Sequence, residues 1–139
     1  LKKYILAIDQ GTSSCRAVLF DESFGVAGIE QKETQTSYPH SGWVEQDAIE
    51  IWENQLAVIQ ALLAKKRVKA SEIAGIGITN QRETTVIWDK SGKPVYKAII
   101  WQDRRTAQVC EQMKNGEMGK YIPDATGLII NPYFSATKI

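Results

Sequence analysis

An apolar run, Ile5-Leu-Ala-Ile8, ends on a single carboxylate, Asp9. A glycine-hydroxyl turn follows, Gly11-Thr12-Ser13-Ser14, and Arg16 leads into a second apolar run that closes at Phe20. Strand, acid, polar turn and returning strand constrain the chain to begin as a tight β-unit whose connection is rich in donors. Such a turn suits a polyphosphate and its metal ion, because glycine admits close backbone approach while N–H groups and hydroxyls face anionic oxygens. An Asp at the end of its strand can hold a divalent cation directly or through its waters. The turn is no Walker A loop: no Gly-Lys-Ser/Thr closes it, and no helix pattern follows directly. The same letters also suit an ordinary β-hairpin with a polar loop.

Downstream, the patterning predicts a third strand over Val26 to Thr34, giving an antiparallel meander, then a loop over Gln35 to Gln46 broken by Pro39 and Gly42. Asp47-Ala-Ile-Glu50 forms an Asp-first capping box. Ile49, Trp52, Leu56, Ile59 and Leu63 follow at helical spacing, which predicts a helix to about Lys65 with that row as its core face. Lys65-Lys66-Arg67 then fits a solvated helix end, where cations complement the dipole. Ile73 to Thr79 is predicted to be a buried strand in which Gly75 and Gly77 share a face open to close approach. Further strands are expected over Thr84 to Asp89 and Ala98 to Trp101, joined through a turn at Lys90 to Pro94. A helix is expected over Asp103 to Lys114, with Asp103 as its N-cap or first-turn acid, stopped by Asn115-Gly116. A helical turn is expected at Glu117 to Tyr121, and Pro132 is expected to open a last helix. The helical crossover between the third and fourth strands implies a parallel pair, hence an α/β core with a mixed sheet in one domain.

Bulk properties exclude several classes. At 139 residues, with 43% apolar and 24% charged content, the chain suits a single-core globular domain. A formal net charge of +1 leaves no electrostatic footprint for nucleic acid or an anionic membrane. No apolar run has the length of a membrane span. Cys15 and Cys110 stand far apart in no metal-binding pattern, which points to a reduced, cytoplasmic setting. His40 is the single histidine, so a histidine-based triad has little to build on. The chain starts at Leu1 and stops in Ser135-Ala-Thr-Lys-Ile139, which resembles the first turn of a helix, so a piece of a longer protein is expected.

Three further segments carry polar groups that a core does not need. In Thr79-Asn-Gln-Arg82-Glu83-Thr-Thr85, a guanidinium fork and a carboxylate lie side by side, matching the donating and accepting hydroxyls of a polyol, or forming an exposed charge pair on a surface turn. Trp101, at a strand terminus in Ile100-Trp-Gln-Asp-Arg-Arg105, is either an apolar wall for a small ligand or a core tryptophan. Tyr133, in Asn131-Pro-Tyr-Phe-Ser135, can offer its phenol to a ligand hydroxyl or cover the core at a helix start. Ser41 to Asp47, ahead of the capped helix, is assigned a structural role.

The segments Asp9 to Arg16, Gly42-Trp-Val-Glu-Gln-Asp47, Thr79 to Thr85, Trp101 to Arg105 and Asn131 to Ser135 resemble, in order and spacing, the FGGY family of carbohydrate kinases. Asn80 to Thr85 and Pro132 to Ser135 resemble its glycerol-phosphorylating members in particular. The resemblance covers essentially the whole chain. It implies an actin-like ATPase (ribonuclease H-like) fold, with residues 1–139 as part of the N-terminal domain and the C-terminal domain absent. It also implies ATP and Mg2+ as cofactors and transfer of a phosphoryl group to glycerol in glycerol catabolism, giving sn-glycerol 3-phosphate and ADP. The enzyme implied is cytoplasmic and homo-oligomeric.

By position, the resemblance places Thr12, Ser13, Ser14 and Arg16 on the nucleotide phosphates and Asp9 on the metal side, with Asp9 and Arg82 catalytic. It places Arg82, Glu83 and Tyr133 on glycerol, and Trp101 against the glycerol carbons. Cys15 stands where many relatives carry a small hydroxyl residue, a change of packing more than of chemistry. The family's general base, an Asp far downstream, and its adenine-binding segments have no counterpart here, so this stretch by itself is expected to be inactive. Rival expectations are an FGGY kinase for another polyol or sugar, an actin-like ATPase that is no kinase, and a stand-alone interaction module.

Overall fold

The computed structural model describes residues 3–139, which form two compact units. The first comprises residues up to Gln35 together with 47–81; the second comprises 36–46 and 82–139.

In the first unit, strands β1 (Tyr4–Gln10), β2 (Ser14–Phe20), β3 (Val26–Glu33) and β5 (Ile73–Asn80) form one sheet in the order β3-β2-β1-β5. β1, β2 and β3 are an antiparallel meander, and β5 runs parallel to β1, as the helical crossover requires. This is the expected mixed sheet. Helix α1 (Ala48–Lys66) supplies the crossover. Asp47 caps it by accepting from the N–H groups of Ile49 at 2.9 Å and Glu50 at 3.2 Å. Arg67, in the left-handed region at φ 54°, ends it. The core is Leu6, Cys15, Ala17 and Leu19 from the sheet against Val58 and Leu62 from α1. Close seating of the helix on β3 depends on Gly28, where a Cβ would stand 2.4 Å from Lys66 Cε and 3.0 Å from Leu62 Cδ1.

The buried row of α1 is not the one the apolar spacing indicated. Ile49, Trp52 and Leu56 are 48%, 63% and 37% exposed, and only Ile59 and Leu63 of that row pack against the core. The row turned inward is Asn54, Gln55, Val58 and Leu62. Its two amides bond strand carbonyls, Gln55 Nε2 donating to Arg16 O at 3.2 Å and Asn54 Nδ2 to Glu33 O at 3.3 Å. A count of apolar residues gives such amides no weight. β5 likewise differs from the buried strand expected: Ile76 and Ile78 are 60% and 72% exposed, because β5 is the outermost strand of this sheet and α1 lies over β2 and β3. Nothing approaches Gly77, and Gly75 has only ordinary contact with Ile5.

The second unit has little regular sheet. β4 (Glu45–Gln46) pairs antiparallel with β6 (Ala98–Ile99), and the segment expected as a strand over Thr84 to Asp89 makes only isolated bridges, Thr85 to Ile99 and Trp88 to Pro94. Its turn is as expected: the Asp89 carboxylate accepts from Ser91 N–H, Ser91 O–H and Lys93 N–H, and Gly92 takes φ 81°. Helix α2 (Ala107–Lys114) starts four residues later than expected, and α3 (Met118–Thr126) runs through Pro123 to a left-handed Gly127. A 3-10 turn covers Ser135–Lys138; Pro132 lies ahead of it, in a turn closed by the Phe134 N–H bond to Asn131 O. Among the described residues, no helix is long and apolar enough to cross a membrane.

The exchange of helix faces is directly testable. Leu62→Ala should lower the stability of the chain by about 2–5 kcal/mol as a buried-leucine truncation, and Leu56→Ala by less than about 1 kcal/mol, in urea unfolding. Equal losses would restore the row predicted from spacing.

Candidate active site

The first candidate element is the β1–β2 turn. Gly11 N–H donates to Ser14 O at 3.1 Å, and a Cβ on Gly11 would stand 2.8 Å from that same oxygen, so the closure of the turn requires glycine. Thr34 N–H donates to Ser13 O at 3.0 Å and fixes the outer limb. Ser13 is exposed, while Thr12 and Ser14 are half-buried. Asp9 and Arg16 are register partners across the ladder, with Arg16 Nη1 at 3.7 Å from Asp9 Oδ2. Arg16 Nε also donates to Gln31 Oε1 at 3.0 Å. Both charged groups stay open to solvent. Backbone geometry therefore gathers one carboxylate, one guanidinium and the hydroxyl-bearing residues 12–14 on a single turn.

The second element is a cleft of about 290 Å³ in the other unit, lined among others by Trp101, Gln102, Asn131, Pro132 and Tyr133. Trp101 and Tyr133 meet edge-to-face at 5.9 Å between ring centroids, and Tyr133 meets Phe134 at 5.1 Å and 90°. Asn131 shapes this wall, its Oδ1 accepting from Tyr133 N–H at 2.9 Å. Arg82 is exposed. Glu83 has a left-handed backbone, φ 61°, and its Oε2 accepts from both Ser135 N–H and Ser135 Oγ at 3.0 Å. Glu83 lines a different, mostly apolar cavity of about 430 Å³ that shares Asn131 with the first. Trp101 and Tyr133 are thus brought into one cleft, and Glu83 is anchored beside it.

A buried ion cluster underlies the Trp101 turn. Arg105 Nη2 reaches Glu45 Oε1 at 2.7 Å and Asp103 Oδ2 at 2.8 Å, and its Nε reaches Asp103 Oδ1 at 3.0 Å. Asp103 Oδ2 also accepts from Val44 N–H at 2.6 Å, and Tyr96 O–H donates to Glu45 Oε1 at 2.9 Å. The Arg105 guanidinium lies 3.9 Å from the Trp43 ring centroid. Asp103 is therefore not the helix cap its position suggested. It is 1% exposed and binds residues 59 positions away, while Thr106 stands at the start of α2. Within Ser41 to Asp47, assigned a structural role, Val44 and Glu45 bind the cluster and Trp43 stacks on it. Two features escaped the sequence reading altogether: this cluster, whose only signal was a pair of charges in a loop, and Lys138, whose ammonium is buried with no warning in its surroundings.

A strand-turn-strand carrying an acid and hydroxyls, on a mixed sheet with a helical crossover, is the arrangement found in actin-like carbohydrate kinases. Residues 4–139 match the N-terminal domain of the FGGY family of carbohydrate kinases, and the chain belongs to that family. It is 53% identical over 139 residues to a glycerol kinase of Shewanella woodyi and 55% identical to one of Halalkalibacterium halodurans, covering 99% of this chain and 28% of each relative. The chain thus spans under a third of the length of the curated relatives it matches. Among solved structures it superimposes on Plasmodium falciparum glycerol kinase with ADP at a TM-score of 0.88 and 33% identity, covering 97% of this chain and 27% of that one. A xylulose kinase of Brucella ovis follows at 0.89 and 30%, over 97% and 28% of the two chains.

The cluster also fixes ionisation. Burial alone would raise the Asp103 carboxyl, but hydrogen bonds from the Arg105 side chain, from Val44 N–H and from Arg105 N–H, with the charge of Arg105, hold it below the ordinary carboxylate value. Burial opposes the Arg105 charge, yet Asp103, Glu45 and Tyr96 drive its value above that of a free guanidinium. A depressed carboxylate contributes stability that is complete above the unfolded value, about pH 4, and is lost as pH falls through the lower folded value. Asp103→Ala should cost about 3–5 kcal/mol by leaving buried Arg105 with Glu45 as its remaining carboxylate and Val44 N–H without its acceptor. In urea unfolding across pH 6 to 2.5, Asp103→Asn should lose less stability below about pH 4 than the unmodified chain does. Parallel acid limbs would show that Asp103 does not carry this linkage.

Proposed function

We propose that this chain supplies part of the active site of an ATP-dependent glycerol kinase, which phosphorylates glycerol to sn-glycerol 3-phosphate and releases ADP. The observation that carries the proposal is the Trp101–Tyr133 cleft: an aromatic wall of the size to pack a three-carbon backbone, next to the cavity lined by Glu83 with which it shares Asn131. The high identity to glycerol kinases over the whole chain supports the choice of substrate. We place the full-length enzyme in the cytoplasm, as a homo-oligomer.

The residue roles are those the family resemblance implies, and the chemistry of each side chain suits its role. Arg82 donates to two hydroxyl oxygens of the polyol, and Glu83, with Oε2 held by Ser135, accepts a hydroxyl proton on Oε1. Trp101 packs the carbons, and the Tyr133 phenol bonds a hydroxyl. On the β1–β2 turn, Thr12, Ser13, Ser14 and Arg16 hold phosphate oxygens through hydroxyls, N–H groups and charge. The donor set there fits a magnesium nucleotide. One solvent-open carboxylate, Asp9, is what Mg2+ uses when it keeps most of its waters and takes the rest from phosphates. Bound there, Mg2+ would offset negative charge on the transferring phosphoryl group. Phosphoryl transfer is largely positioning and charge stabilisation, so Asp9 and Arg82 count as catalytic in that sense.

The likeness to xylulose kinase at 30% identity favours one rival, an FGGY kinase for a ketose. A panel of glycerol, xylulose and related polyols, assayed with the full-length enzyme, separates the two, and preference for a ketose would displace glycerol. Arg82→Ala in the full-length enzyme should raise the KM for glycerol about 10- to 100-fold, the loss of a charged hydrogen bond worth about 1.5–3 kcal/mol. Steady-state kinetics with unchanged KM and kcat would remove Arg82 from the site. Residues 1–139 produced separately should show no glycerol phosphorylation in a coupled ADP assay.

A further inference from the structure

Two backbone carbonyls govern the aromatic cleft. Ile100 C=O precedes Trp101, and Tyr133 C=O belongs to the opposing ring's own residue. Both accept from Lys138 Nζ, at 3.2 Å each. Lys138 is 8% exposed, and its two acceptors are neutral carbonyls. Burial lowers its pKa, while the nearby charges of Asp103 and Glu83 favour the ammonium. A methionine or leucine would fill the same volume without desolvating a charge. What lysine adds is a pair of directed donors that hold two segments at a fixed separation.

Both segments are secured elsewhere, so the tie is rigid. Asp103 N–H also donates to Ile100 O at 3.0 Å, closing the turn on which Trp101 and Gln102 are the corners. Asp103 is itself fixed by Val44 and Arg105. On the opposite side, Glu83 Oε2 binds Ser135 and so fixes the start of the 3-10 turn that presents Lys138.

We propose that Lys138 is a positioning residue for the polyol: its buried ammonium ties the Trp101 turn to the Tyr133 loop and so holds the edge-to-face ring pair that forms the wall against which the carbon chain lies. The proposal rests on the glycerol-kinase reading of this cleft. Lys138 touches no substrate in it. Without the tie, Trp101 and Tyr133 remain but drift, and the loss falls on the polyol rather than on the nucleotide, whose residues lie on the β1–β2 turn.

The test uses the full-length enzyme with glycerol and ATP. Lys138→Met should raise the KM for glycerol about tenfold, as misplacement of a binding wall by a fraction of an ångström does, with the KM for ATP changed less than about twofold. In a cycle with Trp101→Ala, Lys138→Met should add little once the tryptophan is gone, because both act through the same wall. A glycerol KM within twofold of the unmodified enzyme, or glycerol and ATP values rising together, or strict additivity with Trp101→Ala, overturns the positioning role. Should Lys138→Met fail to fold, Lys138→Gln, which keeps one donor of shorter reach, is held to the same outcomes. An unmodified enzyme that phosphorylates no glycerol overturns the kinase reading and this inference together; normal glycerol turnover with an indifferent Lys138 overturns only the inference.

Discussion

The second unit depends on one buried guanidinium. Its strands β4 and β6 are two residues long, too short for ladder hydrogen bonds to fix their register. Arg105 supplies the missing constraint by binding Glu45 on β4 and Asp103 beyond β6, with Trp43 stacked against its face. Three charged groups out of water carry a desolvation cost that apolar side chains would avoid. Apolar packing tolerates sliding, whereas a planar fork with two carboxylates at 2.7–2.8 Å accepts a single arrangement. That arrangement sets where β6 ends, and so where Trp101 stands.

The first unit reaches precision by other means. Small side chains at Cys15, Ala17 and Gly28 let α1 lie close on the sheet, and the amide N–H groups of Asn54 and Gln55 donate to the strand carbonyls of Glu33 and Arg16 beneath the helix. The β1–β2 turn is then held at both limbs by backbone bonds, so its hydroxyls and Arg16 are presented by a frame that needs no side-chain support. An exposed ion pair such as Asp9–Arg16 contributes little to stability. In the proposed kinase, that pair on a fixed turn would be charge kept ready for the nucleotide and its metal ion.

The same contrast explains what could be learned from the sequence. The meander, the parallel return of β5, the Asp47 cap and the helix end near Lys65 are local or topological, and residue type and spacing encode them. The face of α1 is a tertiary property: two rows satisfy helical spacing, and the one turned inward buries Val58 and Leu62 against the sheet while the Asn54 and Gln55 amides bond strand carbonyls. The exposure of Ile76 and Ile78 depends on which neighbours β5 has, and strand propensity carries no such information. Asp103 preceded a helix closely enough to imitate a cap, while it accepts from Val44 N–H, far off in the chain, and from Arg105, which reaches on to Glu45. At the site, aromatic and charged residues stood out by type. The buried ammonium of Lys138 had no local signature, since lysine in a polar turn ordinarily faces water.

If Glu83 binds the polyol as proposed, support and binding share one carboxylate. A non-glycine residue at φ 61° is held in a sparsely populated region at a cost of roughly 1–2 kcal/mol, and such a conformation persists only where surroundings enforce it. Ser135 does so by donating twice to Oε2. The consequence is an acceptor whose rotamer is settled before any ligand arrives, so binding through Oε1 need not spend side-chain entropy of the size a free glutamate would lose. Arg82 next to it is exposed and unconstrained by comparison. In the proposed site, a fixed acceptor beside an exposed donor would suit a small flexible triol, one hydroxyl being located by Glu83 and its neighbours by the guanidinium.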